Sequence, residues 1–164
     1  MSKIFPALAL SIIIGGCSSI NKSKVVSTKP TVAMTKNNST AQVTNIKATG
    51  EANNYTFAVT VKSPDTGCDR YADWWEVITP EGKLLYRRVL LHSHVDEQPF
   101  ERTGGIVAID PEQKVIVRVH MSTDGYSPIA QQGSIKSGFS KVTLPQNFAA
   151  KLKSVEPLPS DCAF

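Results

Sequence analysis

Apolar and polar residues alternate with a period of two along most of the chain after residue 41, which predicts short β-strands. The alternation is clearest over 55–62 and 114–122, where every second residue is aromatic, branched or methionine. Turn signals recur about every 8–12 residues, as in antiparallel sandwiches. The other predicted strands are 42–48, 73–79, 83–94, 106–109, 134–139 and 141–144. The pattern predicts an all-β fold, namely a one-domain antiparallel β-sandwich of the immunoglobulin-like kind.

The predicted connections are polar or rich in glycine and proline. Thr79-Pro80-Glu81-Gly82 has proline second and glycine fourth, as a type I turn prefers. We expect a polar connection over 96–105, a loop over 123–133, and one or two helical turns over 148–155. Asp65, Asp69 and Asp73 are spaced by four, unlike the alternating ligands of a calcium loop, and we interpret them as a solvated acidic loop.

Two adjacent tryptophans lie on the strand predicted over 73–79. Neighbouring strand residues point to opposite faces, so only Trp74 or Trp75 can enter a one-sided core. The other is either a contact residue or lies under a loop.

The first 41 residues have a different pattern. Lys3 precedes an apolar run that is too short to span a bilayer and that ends in Ile14-Gly15-Gly16-Cys17. This segment resembles the lipobox of bacterial lipoproteins, in which small residues precede the cysteine that receives the lipid. The resemblance implies cleavage before Cys17, acylation with chains such as palmitate, and membrane anchoring. Ser18 next to it implies the outer membrane, facing the periplasm; an ordinary secretory signal with a chance cysteine is the alternative.

The chain divides into an N-terminal leader with a tether and a folded part, and the charge distribution agrees with this division. We predict a signal peptide over 1–16, a lipidated cysteine with a flexible tether over 17–41, and the sandwich domain over 42–164. Of 18 basic residues, five precede residue 42, where no acidic residue occurs. The remaining 13 face 14 acidic residues, so the folded part lacks the clustered positive charge that nucleic-acid binding requires.

The assignment of Cys17 to the lipid determines which cysteines can form a disulfide. With Cys17 acylated, Cys68 and Cys162 remain to form a disulfide in an oxidising compartment. Closing so long a loop would stabilise the fold by about 4–5 kcal/mol in the chain-entropy description. A reactive thiol at Cys68 is the alternative, but no activating histidine lies near it in the sequence.

The three histidines form the one candidate chemical constellation. His92 and His94 share a face of the predicted strand 83–94, and His120 lies on the outward side of 114–122. If those strands are neighbours, three imidazoles could hold zinc or copper. Asp96 or Glu97 could add an oxygen, and Met121 a sulfur if it did not point inward.

Arginines argue against a metal at this place. Arg88 has the strand parity of His92, and Arg118 that of His120, so fixed positive charge would lie beside the cation. The same side chains could instead donate hydrogen bonds to an anion or other ligand. Ordinary half-exposed sheet histidines are the third possibility. The candidate binding surface is the polar face that carries Tyr86, Arg88, His92, His94, Glu97, Arg118 and His120.

The segment 68–139 also resembles a group of small exported bacterial proteins. The resemblance is carried by Trp74-Trp75-Glu76-Val77, Tyr86-Arg87-Arg88, His92-Ser93-His94-Val95 with Glu97-Gln98-Pro99-Phe100, and Val119-His120-Met121. No activity is attached to that group, so the resemblance implies only that these residues belong to one module, and it transfers no catalytic role.

Common enzyme signatures are absent from the sequence, including the nucleophile elbow, the zinc-protease helix motif and glycine-rich phosphate loops. The sequence therefore favours a lipid-anchored envelope protein that binds a partner or ligand without catalysis. A histidine-based metal protein and a purely structural envelope component are the alternatives.

Overall fold

The computed structural model describes residues 40–163, and the predicted signal peptide, Cys17 and most of the tether lie outside this range. Nine strands and one 3₁₀ helix follow one another along these residues. Their bounds are β1 Gln42–Glu51, β2 Asn54–Lys62, β3 Ala72–Ile78, β4 Leu84–Val89, β5 Phe100–Val107, β6 Val115–Met121, β7 Gly125–Tyr126, β8 Ile129–Ser134, β9 Gly138–Thr143, and the helix Ala150–Ser154.

The strands form two antiparallel sheets. The smaller sheet has the order β1-β2-β5, and the larger has the order β4-β3-β6-β8-β9 with β7 also paired to β6. The prediction of an all-β antiparallel sandwich is confirmed, whereas its immunoglobulin-like character stays a prediction. Among the described residues, no helix is long and apolar enough to cross a membrane.

The apolar core lies between the two sheets. In β2, alternate residues Tyr55, Phe57, Val59 and Val61 are buried, as the period-two pattern predicts. They share one cluster with Trp75 and with the inward residues of β6. Each sheet therefore contributes one apolar face to this layer.

Several predicted element bounds are wrong. β5 begins at Phe100, because Phe100 pairs with Val61 and is buried between the sheets. Gly104, which we read as part of a polar connection, lies within β5, where the rings of Trp75 and Tyr86 approach so closely that a Cβ would be 2.6 and 2.7 Å from them. β8 occupies 129–134, almost entirely within the predicted loop, and residues 135–137 form a turn inside the strand predicted over 134–139. β4 ends at Val89, so His92 and His94 lie in a loop.

The acidic cluster is not a solvated loop, apart from the exposed Asp69. Asp65 is buried, and its two carboxylate oxygens accept hydrogen bonds from the backbone amides of Ala72 and His94. Asp73 is also buried. The carboxylate of Asp65 thus satisfies backbone donors at the junction of two loops.

The disulfide prediction is confirmed. Cys68 and Cys162 are bonded, with 5.6 Å between their Cα atoms and 94 residues of sequence separation. The bond ties the C-terminal segment to the loop before β3. Its position matters because the preceding residues, 144–157, cover part of the larger sheet.

Candidate functional site

The outer face of the larger sheet, which points away from the smaller sheet, is unusual because it is both polar and buried. Every residue of β3 and β6 is buried, so both faces of these central strands are covered. The inner face is apolar. The outer face carries Trp74, Glu76 and Ile78 from β3 and Ile116, Arg118 and His120 from β6.

Glu76 forms the centre of this face. Arg87 on β4 and Arg118 on β6 lie directly opposite it in the strand register. Arg87 donates to Oε2 of Glu76 from Nε at 2.9 Å and from Nη2 at 2.6 Å, while Arg118 Nε donates to Oε1 at 2.8 Å. The three side chains are almost completely buried. A buried carboxylate between two guanidinium groups is the arrangement that charged groups need when they leave water.

The remaining donors of the two arginines hold the C-terminal segment, residues 144–157, over the sheet. Arg87 donates to the carbonyls of Leu152, Val155 and Pro157. Arg118 donates to the carbonyls of Phe148 and Ala149. The carbonyls of Ala149 and Leu152 also accept backbone amides of the short helix, whereas the other three find their protein partners in the two arginines.

His120 and Asp73 form a hydrogen-bonded pair beside this network. A β-bulge between Ala72 and Trp74 interrupts the register opposite β6 and directs Asp73 toward His120. Asp73 Oδ1 is 2.7 Å from His120 Nδ1, and the imidazole stacks on Trp74 with 3.7 Å between ring centroids. In the neutral ring this bond keeps the proton on Nδ1, so Nε2 is an acceptor. No described residue forms a hydrogen bond with Nε2.

Tyr126 on β7 closes one side of the site. The guanidinium carbon of Arg118 is 3.5 Å from the centroid of its ring, and the ring edge contacts His120. Burial, followed by the nearby charge of Glu76, raises the pKa of Tyr126 to about 12. The phenol therefore stays neutral at physiological pH.

These groups border a cleft of about 590 Å³ between residues 124–128 and 144–153. Its volume lies within the roughly 300–1,000 Å³ of small-molecule sites. His120 and Tyr126 line it from the sheet, and Gln146, Asn147 and Lys153 line it from the C-terminal segment. The arrangement can accept a hydrogen bond on His120 and donate from the ammonium and amide groups.

The structure separates the predicted histidine constellation. His94 is buried in the loop after β4 and stacks on Phe100, with 3.7 Å between ring centroids. The exposed His92 lies beside it, at 4.5 Å between ring centroids. His120 belongs instead to the outer face of the larger sheet. Among residues 40–163 no three His, Cys, Asp or Glu side chains are grouped as metal ligands, so metal binding by the histidines stays an unsupported prediction.

His94 has an unusual environment. Neither ring nitrogen has a hydrogen-bond partner among the described residues, and Nδ1 is 3.9 Å from Asp65 Oδ2. Burial lowers the pKa of His94 to about 4, with Arg102 and His92 adding positive charge in the same direction. His94 is therefore neutral at physiological pH, and the adjacent Asp96 and Glu97 are exposed.

The prediction of one exposed polar face is wrong. Arg118 is only 1% exposed. It lies opposite Glu76 in the strand register, and the residue of β4 opposite Glu76 is Arg87, not Arg88. Arg88 lies on the opposite face, where it donates to the carbonyls of Thr103 and Val89. The parity argument failed because it was applied to each strand without the register that joins them.

The other two surface candidates also have local structural partners. The hydroxyl of Tyr86 accepts a hydrogen bond from the amide of Gly105 at 2.6 Å. Glu97 pairs with Arg102 at 2.8 Å, and this hydrogen bond lowers the pKa of Glu97. Met121, considered above as a sulfur ligand, is buried in the apolar core.

Glu76, Arg87, Asp73 and the 146–153 wall were missed by sequence reasoning. One signal was available: Glu76 stands at the centre of the apolar strand Trp74-Trp75-Glu76-Val77-Ile78. A charge at such a position must be paired when the strand is buried. The sequence did not show which cations would pair with it.

No protein-family model matches the chain, and no solved structure matches it. The chain is 43% identical over 82 residues to a protein of Halomicrobium mukohataei that carries the name "Putative lipoprotein". The similar region is 50% of this chain, and the chain spans 40% of the length of that relative.

Proposed function

We propose that this protein is a lipid-anchored protein of the cell envelope that binds a small polar ligand, without catalysis, in the cleft beside His120. Its anchor would be Cys17, and its location the outer membrane, facing the periplasm. The lipobox-like Ile14-Gly15-Gly16-Cys17 and the name of the Halomicrobium mukohataei relative support the anchor. The disulfide supports an oxidising compartment.

One observation carries the binding part of the proposal. The Nε2 atom of a largely buried histidine lies at a cleft and lacks a protein partner among residues 40–163. Nε2 is not among the enclosed side-chain atoms that lack a partner, so it is accessible from the cleft, where a ligand can replace solvent as its partner. The common enzyme signatures are absent from the sequence, and we therefore propose binding without catalysis.

The anchor is tested by labelling growing cells with an alkyne analogue of palmitate. We expect the wild-type protein to incorporate the label and to fractionate with membranes, and Cys17→Ser to lose both properties. Cys68→Ser is the matched control, because its cysteine is assigned to the disulfide and its label should persist. Labelling that survives Cys17→Ser would overturn the anchor assignment.

The binding site is tested with protein purified from membranes in detergent and screened against small polar molecules by ligand-observed NMR. We expect hits whose signal is lost in His120→Gln and kept in His92→Gln, because only His120 lines the cleft. If His92→Gln alone abolished the hits, or if no polar molecule bound, the cleft would not be the binding site.

A further inference from the structure

We infer that the ligand of this cleft is a hydroxyl-rich carboxylate of the sugar-acid class, bound with its carboxylate at Lys153 and a hydroxyl at Nε2 of His120. The inference rests on the proposed function and adds the chemistry of the ligand. It follows from the polar groups that the protein leaves without partners at the cleft.

The charge of the cleft favours an anion. Arg118 lines the cleft, but its donors are committed to Glu76 and to backbone carbonyls. Asp124 is also compensated, because it pairs with Arg70 at 2.8 Å. Lys153 is the one charged lining residue without a charge partner among residues 40–163. A single free ammonium group suits the single charge of a carboxylate better than the double charge of a phosphate monoester.

His120 favours a ligand hydroxyl. Its Nδ1 lies 2.7 Å from Asp73 Oδ1, and in the tautomer that carries its proton on Nδ1 the ring offers Nε2 as an acceptor. A carboxylate cannot donate to that atom, whereas an alcohol can. The ligand therefore needs a hydroxyl donor as well as a negative charge.

The other wall adds capacity for further hydroxyls and for a C–H surface. The side-chain amides of Gln146 and Asn147 are exposed, line the cleft and have no partner within the described residues. Each amide offers a donor and an acceptor, which matches the dual character of a hydroxyl group. The half-buried Tyr126 and Phe148 provide aromatic surface at the same cleft.

The test compares methyl glucuronide with methyl glucoside, which differ in the carboxylate, by titration of the detergent-purified protein. We expect the acidic sugar to bind at least tenfold more tightly than the neutral one. Lys153→Gln should remove most of that difference, while the matched control Lys151→Gln, whose lysine is not at this cleft, should change affinity less than twofold. Rising salt should weaken only the acidic ligand.

Each contrary result is separable. Equal affinity for both sugars, with both lost in His120→Gln, would overturn the carboxylate assignment and leave the cleft as a binding site. Tighter binding of glucose 6-phosphate than of the glucuronide would also overturn it. If either methyl sugar binds with an affinity that neither Lys153→Gln nor His120→Gln changes, both the sugar-acid inference and the cleft as a binding site are overturned. If methyl glucuronide, methyl glucoside and glucose 6-phosphate all fail to bind, the sugar-acid inference is overturned. In that case the cleft is also rejected if the screen of polar molecules gives no hit.

Discussion

The two faces of the central strands β3 and β6 are buried to a similar degree but are built from opposite chemistry. On the inner face, Trp75, Val77, Val117 and Val119 pack against the smaller sheet through apolar contact. On the outer face, Glu76 and its two arginines are just as inaccessible but are joined by directed hydrogen bonds. Apolar contact tolerates small rearrangements, whereas a buried ion network requires each partner to be present.

The difference explains how an irregular segment can be placed with precision. The 148–157 segment offers backbone carbonyls, and the arginines fix their positions because guanidinium donors have a rigid geometry. The cleft beside His120 has this segment as one wall. The outer face thus acts as a polar platform for a binding site, and the inner face provides the apolar core.

The largest expected effect comes from Glu76→Gln. The substitution keeps the shape of the side chain but leaves two buried arginines without a counter-charge, so we expect a loss of about 3–5 kcal/mol in the free energy of unfolding. Glu51→Gln, at an exposed position, is the control and should change it by less than about 0.5 kcal/mol. Denaturant titration measures both. A loss below about 1 kcal/mol for Glu76→Gln would show that the network is not closed.

Reduction of the disulfide should destabilise the cover of the outer face before it destabilises the apolar core. Loss of the bond between Cys68 and Cys162 should cost about 2–4 kcal/mol, below the chain-entropy value, because the unfolded chain retains some structure. Because the bond ties down the C-terminal segment, amides such as those of Leu152 and Val155 should lose protection from hydrogen exchange before those of β2. Cys68→Ser/Cys162→Ser should reproduce the result without reductant. Equal loss of protection in both regions would contradict this division.

The sequence predicted the inner face well and the outer face poorly. Alternation in β2 and β6 reports which residues share a face, and hydrophobicity identified the inward set, including the opposite placement of Trp74 and Trp75. It did not show that the outward residues Arg118 and His120 would be buried, because their cover comes from residues about thirty positions later. The C-terminal segment that supplies this cover has no hydrophobic periodicity from which it could be predicted.

The strand register was the second property that could not be predicted from the sequence. Arg87 and Arg88 have equal claims to a polar face until Glu76 is placed opposite one of them. The bulge that directs Asp73 toward His120 shifts this register by one residue and has no sequence signal in the alternation. The Cys68–Cys162 pairing was accessible because it depended on a count of cysteines and not on register.

Acid should weaken the fold through His94. Its pKa falls from 6.5 in the unfolded chain to about 4 in the folded protein, so the unfolded state binds the extra proton between these values. The contribution is fully present above pH 6.5 and is lost as the pH falls toward 4, by up to about 3 kcal/mol. Denaturant midpoints measured across this range should lose that slope in His94→Leu and retain it in His92→Gln. An unchanged slope in His94→Leu would assign the effect to other groups.

The smallest expected effect lies at the close approach of the two sheets. A methyl group on Gly104 would lie 2.6 Å from Trp75 and 2.7 Å from Tyr86, so Gly104→Ala should cost about 1–3 kcal/mol. Gly105→Ala is the matched control, because its nearest neighbour would be 3.3 Å away, and it should cost less. Thermal unfolding of the two variants compares them. A cost for Gly105→Ala equal to or above that of Gly104→Ala would contradict the packing at β5.

The three histidine rings report directly on where the ligand binds. In a long-range ¹H–¹⁵N spectrum of the protein titrated with methyl glucuronide, we predict that the Nε2 resonance of His120 moves saturably. The rings of His92 and His94 should not move, since they lie away from the cleft. Saturable movement of His92 or His94 with His120 unchanged would contradict the account.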